Sequence, residues 1–89
     1  MSNQFLNLIF IFNGQRIMIQ ATSKELFAEV ALRYMNKRGL TQEQAPKFFY
    51  NSQELKLEAA KTLAELNVTN QANIDVVLSS LVIGAFLNK

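Results

Sequence analysis

The pair Asn13-Gly14 limits what this 89-residue chain can fold into more than any other feature. Both residue types accept positive φ at low cost, and a two-residue turn needs positive φ at its central positions when its twist must match the strands it joins. The flanks suit that turn, because Leu6 to Phe12 and Arg16 to Gln20 are rich in apolar β-formers. The turn also sets the register. With Phe12 facing Gln15, Phe10 falls opposite Ile17 and Leu8 opposite Ile19 on one face, while Ile9 opposite Met18 and Ile11 opposite Arg16 fall on the other. Asn7 shares the second face, so the first is expected to be core.

Downstream of the hairpin the period changes from two to that of a helix. Lys24 to Arg38 places Leu26, Phe27, Val30 and Tyr34 on one stripe, with Ala28, Leu32 and Met35 on a flank expected to be partly exposed. Thr22 and Ser23 offer N-caps, Lys37 and Arg38 complement the dipole of the last turn, and Gly39 supplies a left-handed stop. Pro46 breaks the next segment, and Lys47 to Tyr50 reads as a short aromatic strand turning at Asn51-Ser52 into a brief partner, Gln53 to Leu55. Leu57 to Leu66 has no strand pattern, and Thr62 with Glu65 has the spacing of a capping box on one helical turn. In the last strand Ile74, Val76 and Leu78 point inward and Asp75 and Val77 outward.

The inventory excludes most chemistry. The chain has no Cys and no His, so it offers no disulfide, zinc knuckle, catalytic thiol or imidazole base. Asp75 is the sole aspartate, the glutamates are scattered, and Ser79-Ser80 has no neighbour suited to activate a nucleophile. A non-enzymatic protein without cofactor or metal is expected. Nine Lys and Arg against seven Asp and Glu leave a net charge of +2, too small to argue for nucleic acid. No apolar run approaches the ~20 residues of a membrane span, and MSNQ carries no basic region of a signal peptide. The expected location is cytoplasmic or nuclear.

The order of hairpin, helix, strand, short strand, helical turn and strand is what a β-grasp fold requires, and particular residues add to it. The helix closing at Gly39-Leu40, the Phe48-Phe49-Tyr50 strand, the Gln53-Glu54-Leu55 segment and above all Thr62-Leu63-Ala64-Glu65-Leu66-Asn67-Val68 leading into Ile74 to Leu78 resemble ubiquitin-like domains over residues 6–78. The resemblance implies an α+β architecture, a mixed sheet of four to five strands on one main helix spanning about 24–38, with a short helical turn near 62–66. Residues 1–5 are then a disordered N-terminus and 79–89 an apolar tail. It also implies that Phe49 takes the place of the exposed isoleucine at the centre of ubiquitin's recognition patch and Val77 that of the patch valine, with Lys47 at a basic position beside them. Asp75 replaces the patch histidine, and the turn at Asn13-Gly14 is too short to supply the patch's loop leucine. Conjugated members end in Gly-Gly, whereas Val82 and Ile83 stand at those positions here.

The expected function is a non-conjugated, ubiquitin-like module that binds protein partners through an outer sheet face made of Ile9, Ile11, Met18, Lys47, Phe49 and Val77. The competing reading is that the apolar tail Leu81 to Leu87 covers this face or pairs between two copies, with Gly84 as a bend. The alternative function is a modifier trimmed to a single terminal glycine at Gly84. Arg33, Lys37, Arg38 and Lys47 admit a basic-patch reading, but a solvated helix face with a Glu29–Arg33 pair explains the same charges.

Overall fold

The computed structural model describes residues 5–78, and the described residues open with a hairpin. Strand β1, Phe5–Phe12, turns through Asn13 (φ 52) and Gly14 (φ 76) into β2, Gln15–Thr22. The register is the one the turn dictates, with Phe12 opposite Gln15, Phe10 opposite Ile17, Ile9 opposite Met18 and Leu8 opposite Ile19. β1 starts at Phe5, one residue before the expected boundary.

Helix α1, Phe27–Arg38, begins three residues later than the caps at Thr22 and Ser23 suggest. The backbone of residues 23–27 is committed elsewhere. Ser23 and Glu25 carbonyls accept from the Ala64 and Leu63 amides, Phe27 N–H donates to the Lys61 carbonyl, and Leu26 bridges to Thr62. The Glu25 carboxylate accepts from the Thr22 amide at 2.9 Å, holding residues 22–25 as a turn. The helix ends as expected at Gly39, whose φ of 84 is left-handed and whose amide donates to the Met35 carbonyl.

After a 3-10 turn at Gln42–Gln44 come β3, Pro46–Tyr50, and the two-residue β4, Gln53–Glu54, joined through Asn51 (φ 53) and Ser52 (φ 68). A second 3-10 turn at Leu57–Ala59 precedes the Thr62–Glu65 segment. There the capping box forms, Thr62 N–H to Glu65 Oε1 at 2.8 Å and Glu65 N–H to Thr62 Oγ1 at 3.1 Å, but it opens a single turn closed by Leu66 N–H on the Thr62 carbonyl. β5, Asn73–Leu78, completes a five-stranded sheet in the order β2-β1-β5-β3-β4. β5 runs parallel to β1 and antiparallel to β3, so the first and last strands sit side by side in the middle.

α1 crosses one face of this sheet. Between them Phe10 stacks on Tyr34 at 4.5 Å, and Phe48 meets Phe10 and Phe27 edge-on at 5.9 and 5.5 Å. Such ring pairs add about 0.5–1.5 kcal/mol each beyond the area they bury. Leu8, Val30, Leu63 and Ile74 fill the remaining space and are fully buried. Of the helix flank, Met35 is buried and Leu32 is 41% exposed.

Candidate functional site

Because side chains alternate along a strand, burying Leu6, Leu8, Phe10, Ile74, Val76, Leu78 and Phe48 under α1 sends the intervening residues to the opposite face. Cross-strand register then fixes their neighbours. Met18 pairs with Ile9 and Arg16 with Ile11. Ile9 lies beside Asn73 and Ile11 beside Asp75. Asp75 pairs with Phe49, Val77 with Lys47, and Phe49 with Glu54. One line therefore runs across all five strands as Arg16, Ile11, Asp75, Phe49, Glu54.

All six residues expected at a partner-binding face lie on this outer face. Met18 (56%) and Val77 (44%) are strongly exposed, Lys47 is exposed, and Ile9, Ile11 and Phe49 are half-buried. They form two apolar groups rather than one. Ile9, Ile11 and Met18 sit on β1 and β2, Phe49 and Val77 on β3 and β5, and Asp75 stands at the junction. Asp75, Arg16 and Glu54 belong to the face and were absent from the expected set. Their signal was present, since each occupies an outward position in the strand period. Phe5, 57% exposed, lies opposite Thr22 at the far end of β1.

The basic patch does not assemble. Arg33 donates to Glu25 Oε1 at 2.7 Å and to the Gln20 carbonyl at 3.1 Å, so its partner is Glu25 rather than Glu29. Arg38 lies over the Phe12 ring at 5.0 Å from its centroid, in cation–π geometry. Lys47 is on the sheet face turned away from α1. The hydrogen bond from Arg33, more than burial or the Thr22 amide, decides the Glu25 titration and holds its carboxyl below the usual range.

A groove of about 370 Å³ that the sequence did not announce runs between Ala45–Phe48 and Glu54–Glu58. It borders the end of β3 at which Pro46 has no amide hydrogen to offer a further strand. Gly84 and the tail 79–89, on which the modifier reading and the self-covering reading depend, lie outside the described residues.

No protein-family model and no curated protein matches this chain. Among solved structures, it is similar to a protein designed on the basis of ubiquitin, at a TM-score of 0.73 and 21% identity, covering 85% of this chain and 90% of the other. At that identity the likeness speaks for the fold. The mixed five-stranded sheet on one helix is a ubiquitin-like β-grasp.

Proposed function

We propose that this chain is a ubiquitin-like interaction module that binds a protein partner through its outer sheet face and performs no catalysis itself. The observation that supports this reading most is the convergence of Ile9, Ile11, Met18, Phe49 and Val77 from four strands onto the side of the sheet that α1 leaves open. Exposed apolar area of this kind is costly in water, at about 25 cal/mol per Å², and is a regular mark of a binding surface. A chain with neither Cys nor His is poorly equipped for reaction chemistry. Protein rather than nucleic acid or membrane is the proposed class of partner, because the cations are dispersed and Arg33 and Arg38 are engaged within the fold. A cytoplasmic or nuclear location belongs to the same proposal.

Phe49 is the proposed anchor, being the aromatic ring beside Asp75 on the line that crosses the sheet, with Ile11, Val77 and Lys47 around it. Phe49→Ala is expected to weaken partner binding by about 2 kcal/mol while the amide spectrum keeps its native dispersion, since Phe48 and not Phe49 fills the core at this strand. Titration calorimetry on the partner, with the spectrum as the fold control, reads both. Unchanged affinity in a folded Phe49→Ala variant would remove the proposal.

A further inference from the structure

Asp75 is the one charged side chain in the middle of the outer face. It lies between Ile11 of β1 and Phe49 of β3 in register, and Val77 follows it on the same side of β5. It is exposed, and among the described residues its carboxylate makes no ion pair or hydrogen bond, the ion pair there being Arg33 with Glu25. The other charges are marginal: Arg16 on β2, Lys47 on β3 and Glu54 on β4. Lys47 stands opposite Val77, diagonal to Asp75. Diagonal neighbours are about 7–8 Å apart and within reach of a long side chain, yet the two are not paired.

A purely apolar partner laid over Ile11, Phe49 and Val77 would strip water from Asp75 and return nothing to its oxygens. A buried, unpaired carboxylate works directly against the apolar contacts around it. An acidic partner is worse placed at the centre, where it meets Asp75 directly, while Arg16 and Glu54 at the two ends of the line offset each other. Building on the proposed role of this face, we infer that its partner is a protein segment that sets an arginine or lysine on Asp75, with apolar side chains on either side, one against Ile9 and Ile11 and the other against Phe49 and Val77. Arginine fits best. Its planar fork matches a carboxylate with two hydrogen bonds, and the same plane stacks on an aromatic ring such as Phe49.

The test is selection of random displayed peptides on the whole protein, with Phe49→Ala as the counter-screen that isolates outer-face binders. Asp75→Asn and Asp75→Lys are the probes of charge, and both exposed substitutions are checked for a native amide spectrum. Face-dependent peptides are expected to carry Arg or Lys between two apolar positions and to bind Asp75→Asn on the order of tenfold more weakly. Asp75→Lys is expected to select Asp or Glu at that position instead. Face-dependent peptides without an enriched cation, or with equal affinity for Asp75→Asn, overturn the inference and leave the outer face standing as a binding surface. Peptides weakened by Lys47→Ala but not by Asp75→Asn overturn it too. If no selected peptide depends on Phe49, the reading of the face on which the inference rests falls with it.

Discussion

Removing the hydroxyl of Tyr34 should make this protein more stable. The side chain is fully buried, and its oxygen has no hydrogen-bond partner among the described residues. A buried polar group left unsatisfied costs about 1–3 kcal/mol. Tyr34→Phe deletes that cost and keeps the ring, so the 4.5 Å stack on Phe10 and the edge contact with Phe48 at 6.3 Å survive. Against the gain stands the one-atom void left by the oxygen, worth a few tenths of a kcal/mol at ~24 cal/mol per Å³. The net expectation is a stabilisation of about 1 kcal/mol, a rise in melting temperature of about 4–8 °C for a domain of this size. Urea titration measures it as a higher midpoint with an unchanged slope.

Burial also raises the Tyr34 pKa, partly opposed by the charge of Arg38. The sign follows. The unfolded chain ionises this phenol near ~10 and the folded chain only at higher pH, so the folded state keeps its full advantage below the unfolded value and loses it as pH rises through the folded one. Tyr34→Phe should therefore remove part of the alkaline loss of stability. A destabilisation of about 1 kcal/mol or more would refute the reasoning, because it would mean the hydroxyl finds a partner in solution.

The Glu25 carboxyl is held low in the folded state chiefly by Arg33, so its contribution is present above the unfolded pKa and fades as pH falls through the folded one. Glu25→Gln should cost about 0.5 kcal/mol at neutral pH, a solvent-screened figure, and the gap to wild type should close in acid denaturation profiles; a gap constant with pH would show that the pair contributes through shape alone. Ala60 sits at a φ of 54, left-handed backbone that glycine adopts without penalty. Ala60→Gly is thus expected to be neutral or stabilising by about 0.5–1 kcal/mol, the reverse of the usual effect, and a loss of 1 kcal/mol or more by urea titration would contradict it.

What was legible in the sequence was what short-range chemistry decides. Asn13-Gly14 determines the turn, the turn determines the register, and the register determines which of Ile9, Phe10 and Ile11 faces α1. Gly39 stopped the helix for an equally local reason. The helix starts three residues later than its local signals indicate, because Thr22 and Ser23 are good caps locally, while the backbone of residues 23–27 is recruited by Lys61 to Ala64, about forty residues away. No window around Thr22 contains that information. Helical spacing offers Glu29 to Arg33, yet Glu25 holds it because the Gln20 carbonyl on β2 offers a second acceptor in the same place. Ala45 and Ala60 in left-handed conformations gave no warning, since alanine is not a turn residue. Strand alternation together with the family resemblance points to the six face residues, and the same alternation turns Asp75 outward beside them.

The central claim is that partners dock on the sheet face opposite α1, and site-specific photo-crosslinking tests it most directly. A photoreactive residue is placed at Met18, at Val77 or at Leu32, each exposed, the first two on the outer face and the third on the helix, and each protein is irradiated in cell extract. The same adduct from Met18 and Val77, lost when Phe49→Ala is added and absent from Leu32, is the expected result. An adduct formed from Leu32 and not from the sheet positions, or one indifferent to Phe49→Ala, would contradict it.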